Sequence, residues 1–354
     1  MWKSFRCTTE YTEYKIEVSV KKDITHLVNL LSLVEQQGEY CVYVEHIMKK
    51  YGKNILAVND ISFKVRYGKV FGFLGPNGAG KTTTIKLLTT LIPPSAGNAY
   101  IFGKDITKNG PEIRKRIGVV SQQPSFEANL TVNKALDLYG LLWKIRGEKR
   151  AEKLREILRA FDLESIKNTK NDELSVGQRR RVQVAREFMH DMDLLFLDEP
   201  TVGLDPSARR SLLDFIKAQV KSGLTVFFTT HIMEEAEYLC DEIAIIDCGR
   251  IIAFDTPMGL KQKYGVTKNI QLRFKNKAAK VVVDMIGSII DKSRTEIVGP
   301  YELIIRVDNP QEIIIKLIQL LSKFEIEIES IAINPPSLED VFLTIVKNSK
   351  NMHS

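Results

Sequence analysis

Glycines at 75, 78 and 80, followed by Lys81 and Thr82, spell Gly-Pro-Asn-Gly-Ala-Gly-Lys-Thr, the spacing G-x-x-x-x-G-K-[ST]. Glycines let successive backbone N–H groups turn inward around an anion, and a helix starting at Thr82 adds the positive end of its dipole there. The chemistry is phosphate binding. Lys81 would reach the β- and γ-phosphates of a nucleotide, and the Thr82 hydroxyl would ligate Mg2+. A ligand-free glycine turn would explain the glycines but not a strand before them and a helix over about 82–91 after them. A second pair of groups, Asp198 and Glu199, ends the apolar run Leu194, Leu195, Phe196 and Leu197. A buried strand would carry both carboxylates to the sheet edge where open α/β sheets bind ligands. Asp198 would hold Mg2+ through water, and Glu199 would polarise an attacking water. Taken alone, the pair also fits a surface turn; its order and spacing after Lys81 favour the site.

Hydrophobic patterning gives the elements that must position these groups. A chain of 354 residues fits two or three domains of about 150 residues. With 44% hydrophobic and 27% charged residues it falls among ordinary globular proteins, which excludes wholesale disorder, collagen and coiled coil. From Cys41 to about residue 260, β-rich runs at 70–74, 194–197 and 225–229 alternate with helical periods, the pattern of a layered α/β domain with a largely parallel sheet. Strand signals nearly vanish over about 126–189. Stripes at Ala135, Leu138, Tyr139 and Leu142, and at Leu154, Ile157, Leu158 and Phe161, predict a helical insertion there.

The lysine-rich segment 261–265 reads as a link. A strand at 270–274, a helix over about 278–290, a hairpin turning at Gly299 and Pro300, a helix at 311–321, a strand at 324–331 and a short helix capped by Ser337 follow. That order, β-α-β-β-α-β plus a helix, is ferredoxin-like α+β. Residues 1–40 read as a strand near 15–20 and an amphipathic helix striped by Leu27, Leu30, Leu31 and Val34, with no role assigned.

The uncharged stretch 87–103 contains Pro93, Pro94, Gly97 and Gly103, so it does not read as a membrane span. The first 15 residues show no apolar core behind a basic start, so the expected location is the cytoplasm. Cys7, Cys41, Cys240 and Cys248 include no Cys-x-x-Cys pair and read as reduced thiols. A net charge of +7 suits an anionic partner such as a nucleotide, nucleic acid or a membrane surface.

Leu174, Ser175, Val176, Gly177 and Gln178 open a helix with an apolar face of Val182, Ala185, Phe188 and Met189. Ser175 and Gln178 have capping-box spacing, so a well-capped helix alone would explain them. The segment, however, lies 23 residues before Asp198 and just after the helical insertion. Together with the phosphate loop it resembles the ATP-binding cassette (ABC) ATPases, whose signature at this place is Leu-Ser-Gly-Gly-Gln. The resemblance covers about residues 41–260. It implies a P-loop NTPase fold with an antiparallel β subdomain and a helical subdomain at about 126–189. An N-terminal extension over 1–40 and an α+β accessory domain over 268–350 flank the cassette.

The resemblance also implies roles by position. Gly75, Asn77, Gly78, Gly80, Lys81, Thr82 and Thr83 would hold ATP, with Tyr51 stacking on adenine. Thr82, Gln122 and Asp198 would serve Mg2+, with Gln123 leaving a one-residue ambiguity beside Gln122. Glu199, His231, Gln122 and Lys81 would be catalytic; His26, His46, His190 and His353 receive no such role. Gly203, Leu204 and Asp205 match the family's dimer-contact loop. Ser175, Gly177 and Gln178 would contact nucleotide on a second cassette, which predicts a homodimer with shared sites. Val176 replaces the first signature glycine and removes that position's freedom to take positive φ.

With no membrane helix, the chain would power a separate permease docked near residues 124–131 and would lie peripherally on the cytoplasmic face of the membrane. Pro335-Pro336-Ser337-Leu338-Glu339-Asp340-Val341-Phe342 resembles the ending of exporter ATPase subunits of the daunorubicin-resistance type. No nucleic acid partner is expected. The alternative is a soluble cassette ATPase of translation or DNA repair, although the second cassette of the former and the Cys-x-x-Cys hook of the latter are not in this sequence. A GTPase or small-molecule kinase would leave residues 174–178 unexplained.

Overall fold

The computed structural model describes residues 39–52, 54–123, 127–265, 268–287 and 289–351. The strand and helix expected before residue 39 lie outside these residues, as do 124–126 of the expected docking segment. In chain order, β1 (Tyr40–Tyr51) and β2 (Ile55–Arg66) form a hairpin, and β3 (Val70–Leu74) leads through a glycine loop to α1 (Lys81–Leu88). β4 (Ala96–Ile101), β5 (Lys104–Asp105) and α2 (Gly110–Arg114) precede β6 (Ile117–Val120). Three helices, α3 (Val132–Leu142), α4 (Gly147–Ala160) and α5 (Val176–Glu187), separate β6 from β7 (Leu194–Asp198). Next come α6 (Pro206–Lys221), β8 (Thr225–Thr230), α7 (Met233–Leu239), β9 (Glu242–Asp247), β10 (Arg250–Asp255) and α8 (Pro257–Tyr264). The chain closes with β11 (Lys268–Phe274), α9 (Ala279–Ile286), β12 (Thr295–Gly299), β13 (Glu302–Val307), α10 (Pro310–Lys323), β14 (Ile328–Asn334) and α11 (Leu338–Asn351).

The chain divides into two compact units. One holds the described residues up to Lys69 together with Thr82–Phe227; the other holds Val70–Lys81 and everything from Phe228. In the first unit an antiparallel sheet runs in the order β2-β1-β4-β5, and the start of β8 lies beside β7, which in turn lies beside β6. β6 and β7 pair in parallel, Ile117 opposite Leu194 through Val120 opposite Leu197. β7 is buried along its whole length, the mark of a strand covered on both faces. The expected helical insertion is present as α3 to α5. Its second stripe is buried as read at Leu154, Ile157, Leu158 and Phe161. Its first stripe turns differently: Val132, Ala135, Leu136 and Gly140 are buried, while Leu142 is exposed.

In the second unit the order is β10-β9-β3 followed by the end of β8, with β3 and β9 parallel from Phe71 opposite Glu242. Beyond α8, four antiparallel strands in the order β12-β13-β11-β14 carry α9 and α10 on one face, the expected ferredoxin-like arrangement. Ile270, Leu272 and Phe274 of β11 and Leu303, Ile305 and Val307 of β13 share a core with Val282, Ile286, Leu317 and Leu321. Each such side chain contributes about 1.5–3 kcal/mol by leaving water.

α11 starts at a cap in which Ser337 Oγ accepts from Asp340 N at 3.1 Å. Asp340 also binds Arg306 Nε at 2.9 Å and Asn269 Nδ2 at 3.3 Å, pinning the helix to β13 and β11. The helix packs on α7, α8 and β10.

Three expected boundaries are corrected. Residues 261–265 are no link but the end of α8, whose N-cap Thr256 accepts from Gly259 N and whose last-turn Lys261 and Lys263 suit the negative end of the helix dipole. α9 stops at Ile286 rather than 290, with Gly287 at its C-cap. The last strand begins at Ile328 rather than 324 because α10 runs on to Lys323.

Candidate functional site

Part of the site is the loop between β3 and α1. Gly78 and Gly80 take φ of 83° and 111°, a region that L side chains adopt at a cost of about 1–2 kcal/mol. At Gly75 any Cβ would overlap the carbonyl oxygen of Ile246, so β9 runs hard against the loop's first residue. Ala79 N donates to Pro76 O at 3.2 Å, and Gly249 N, in the β9 to β10 turn, donates to Ala79 O at 3.0 Å. Lys81 is only 5% exposed; its Nζ donates to Gly75 O at 2.7 Å and Pro76 O at 3.1 Å. Lysine is seldom this buried unless paired, and here two loop carbonyls accept from its Nζ. Asn77 and Gly78 are exposed at the loop tip, and Thr83 is half-buried behind it.

In the same unit β8 ends at Thr230, whose Oγ1 accepts from Ile232 N at 3.0 Å and donates to the buried Glu235 Oε2 at 2.9 Å. These bonds fix the turn that presents His231, which is exposed.

The candidate carboxylates belong to the other unit. Thr82, the residue after Lys81, donates its Oγ1 proton to Asp198 Oδ2 at 2.8 Å. Asp198 closes β7 at 2% exposure, and Glu199 follows at 4%. Glu199 has φ of 48°, a left-handed backbone uncommon for a residue with a side chain. Gln122 Nε2 donates to Glu199 Oε2 at 3.2 Å. Gln123 instead offers its carbonyl to Ser121 Oγ and Gln183 Nε2, so of the two neighbouring glutamines it is Gln122 whose side chain reaches the carboxylate.

Ser175 caps α5. Its Oγ accepts from Gln178 N at 3.2 Å, and Gln178 Oε1 accepts from Ser175 N at 2.9 Å, the complete reciprocal box. Ser175 and Val176 are exposed and Gly177 is half-buried at this helix start. The expectation about Val176 is corrected: it is the first helical residue and has no positive φ, so a β-branched side chain costs no left-handed strain there. The positive φ belongs instead to Gly203, at 81°, where an added Cβ would lie 2.8 Å from Val176 Cγ1. Asp205 is the N-cap of α6, accepting from Ala208 N at 2.9 Å, and that N–H above all holds its carboxyl below the usual range. Tyr51 ends β1 at 39% exposure, with Lys49 Nζ 5.5 Å from its ring centroid.

Three buried polar residues of α5, Arg180, Gln183 and Glu187, escaped the sequence reading. Arg180 spreads its guanidinium over the backbone that carries Asp198 and Glu199. Glu187 accepts from Val119 N at 3.3 Å and from Tyr139 Oη at 3.1 Å, and burial pushes its carboxyl up. A signal existed: positions 180, 183 and 187 recur at i, i+3 and i+7, placing Arg, Gln and Glu on one stripe of the helix, and all three are buried.

Each donor set fits its part of a nucleotide with its cation: the loop has two positive-φ glycines and a buried lysine amine, and, in the other unit, Thr82 and Asp198 offer two adjacent hard oxygens of the kind Mg2+ takes beside water and phosphate. Among the described residues no helix is long and apolar enough to cross a membrane.

Comparisons with known proteins point to one family. The family described as ABC transporter matches residues 58–202. A probable multidrug ABC transporter ATP-binding protein of Escherichia coli, YbhF, is 40% identical over 224 residues, 63% of this chain, and the match spans only 38% of that protein's length. The doxorubicin resistance ATP-binding protein DrrA of Mycobacterium tuberculosis is 35% identical over 313 residues, 88% of this chain and 95% of its own length. Among solved structures, the dimeric post-hydrolysis state of the ATP-binding cassette MJ0796 bound to ADP and Pi superposes with a TM-score of 0.57 at 25% identity, covering 61% of this chain and 98% of that one.

Proposed function

The chain belongs to the ATP-binding proteins of ABC transporters, and from that premise we propose that it hydrolyses ATP to power a separately encoded membrane permease of the export type. The observation that carries the proposal is the paired contact at the end of β7: Thr82 on Asp198, and Gln122 on Glu199. One carboxylate sits with the hydroxyl that follows the phosphate loop, and its neighbour sits with a side-chain amide that can also hold water.

In this reading the residues at 75–83 bind the phosphates, and Lys81 exchanges its loop carbonyls for phosphate oxygens. Tyr51 offers its ring to adenine. Thr82 and Asp198 would hold Mg2+, with Gln122 beside them, and the cation would supply neutralisation of phosphate charge. Glu199 orients and polarises a water whose oxygen attacks the γ-phosphorus as the bond to ADP breaks, giving ADP and inorganic phosphate. His231 contacts the γ-phosphate from the turn after β8. Rate comes mainly from positioning and charge stabilisation.

Ser175, Gly177, Gln178 and Asp205 face a second copy of the chain, so that each nucleotide is closed by two protomers. Support comes from the dimeric form of the MJ0796 cassette and from the exposed, fully capped start of α5. ATP then joins the cassettes and hydrolysis releases them, a population shift driven by differential binding. The permease docks near residues 124–131 and holds the chain on the cytoplasmic face of the membrane. The drug-resistance and multidrug names of the two relatives favour export, and neither supports the translation or DNA-repair alternative.

The test is Glu199→Gln. The variant should keep ATP binding, lose turnover and accumulate as a dimer with ATP; full turnover would remove Glu199 from its role. Mixing Lys81→Ala with Ser175→Arg, each inactive alone, should restore part of the activity if sites are shared, and silence on mixing would refute sharing. Purification from membranes should recover a multi-spanning partner rather than ribosomes or DNA.

A further inference from the structure

We infer that Arg180 is the positioning residue that fixes Glu199 and the segment carrying Gln122 in their working relation. The inference rests on the reading of Glu199 as the group that orients water. Arg180 is 3% exposed on α5. Its Nε donates to Pro200 O at 2.8 Å, and its Nη2 donates to Asp198 O at 2.9 Å and Glu199 O at 2.7 Å. Its Nη1 donates to Ser121 O at 2.6 Å and to Gln183 Oε1 at 2.7 Å. The fork thus spends its five N–H groups, and four go to backbone carbonyls of the two segments whose side chains meet at Gln122 and Glu199. Gln183 repeats the tie, donating from Nε2 to Ser121 O at 3.2 Å.

This arrangement accounts for the backbone of Glu199. A left-handed φ of 48° costs about 1–2 kcal/mol for a residue with a side chain, and such conformations persist where neighbours over-determine them. Arg180 grips the carbonyls of residues 198, 199 and 200, which leaves the peptide planes around Glu199 little freedom to flip. Burial pulls the guanidinium down to about 10, and the Asp198 and Glu199 carboxylates favour its charge, so it stays a cation at neutral pH. An ammonium at the same place has three donors without the planar fork and cannot meet the same set.

The experiment compares the full-length chain with Arg180→Ala, Arg180→Lys and, as a control on the site itself, Glu199→Gln. ATP affinity is read by titration calorimetry and turnover by phosphate release. Arg180→Ala should lower kcat by about 100-fold, the scale of a misplacement of about 1 Å, while ATP affinity stays within about threefold. Arg180→Lys should recover about tenfold of that loss, because one or two carbonyls regain a charged donor.

A folded Arg180→Ala with near-normal kcat overturns the inference. So does an equal loss in affinity and kcat, or failure of both Arg180 variants to fold, which would assign the residue to stability alone. If Glu199→Gln itself turns over normally, the reading of the site fails first and this inference with it; if Glu199→Gln is silent while Arg180→Ala is active, only the inference fails.

Discussion

Val176 and Gly203 offer a quantitative test of how the start of α5 meets the loop after Glu199. Replacing Gly203 by Ala places a side chain at φ of 81°, which costs about 1–2 kcal/mol regardless of surroundings. The new Cβ would also stand 2.8 Å from Val176 Cγ1, against an optimum of about 3.5–4.0 Å. Val176 is 56% exposed and can swing partly away, so the overlap adds about 1 kcal/mol, the low end of the range for overpacking. Gly203→Ala should therefore destabilise by about 2–3 kcal/mol in the native background and by about 1–2 kcal/mol beside Val176→Gly, a coupling of about 1 kcal/mol. Urea unfolding followed through Trp143 fluorescence, in a chain carrying Trp2→Phe, reads the unit that contains both positions. Equal penalties in the two backgrounds, within about 0.3 kcal/mol, would refute the contact.

Other substitutions follow from the same geometry. Gly75→Ala, which sets a methyl group into the Ile246 carbonyl, should weaken ATP binding by at least about 100-fold; Gly78→Ala has open space around its Cβ, carries only left-handed strain and should bind ATP better than Gly75→Ala in the same titration. Asp340 is partly desolvated, yet the Ser337 hydroxyl, Asn269 and Arg306 hold its carboxyl below the usual range. A lowered pKa stabilises the fold above the unfolded value near about 3.9, with the benefit lost as pH falls through the folded value. Asp340→Asn should thus cost about 1–3 kcal/mol in thermal or urea unfolding at pH 7, and the gap to wild type should narrow below about pH 4. Glu187 has the opposite sign: burial raises it, so its contribution is fullest below about pH 4.3 and fades as pH rises through its folded value. The stability of Glu187→Gln relative to wild type should improve as pH climbs from about 4 toward neutrality, and a flat difference would show that the carboxyl is not desolvated.

The parts of the fold legible in the sequence are those where one local rule dictates the outcome. The phosphate loop could be read because its glycines are required by backbone conformation and close approach. The α5 cap could be read because Ser175 and Gln178 satisfy each other without distant help. β3 and β7 stand out as apolar runs and β8 as a β-branched and aromatic run, and all three are buried along their whole length. Arg180 is hard to read because it stands between Arg179 and Arg181, where three guanidiniums resemble a solvated face; the polar stripe with Gln183 and Glu187 hints at it, and its bonds to Ser121 O and Asp198 O single it out. The end of α8 was lost because Lys261, Gln262 and Lys263 carry no apolar period, although Thr256 and Pro257 announce the helix start. At α3 the stripe was displaced because Gly140, which packs without a side chain, is invisible to a hydrophobic pattern.

The bond from Gly249 to Ala79 links the nucleotide loop to residues that no motif search would connect with it. The turn containing Gly249 joins β9 to β10, and α11, the last helix among the described residues, leans on β10 and on α7, which starts just after His231. Loop, histidine and final helix therefore belong to one compact unit, and we propose that the C-terminal residues buttress the loop. Removing them, or loosening them through Ser337 or Asp340, should let the loop breathe and shorten the residence of bound ATP, with every residue proposed to contact ATP still in place.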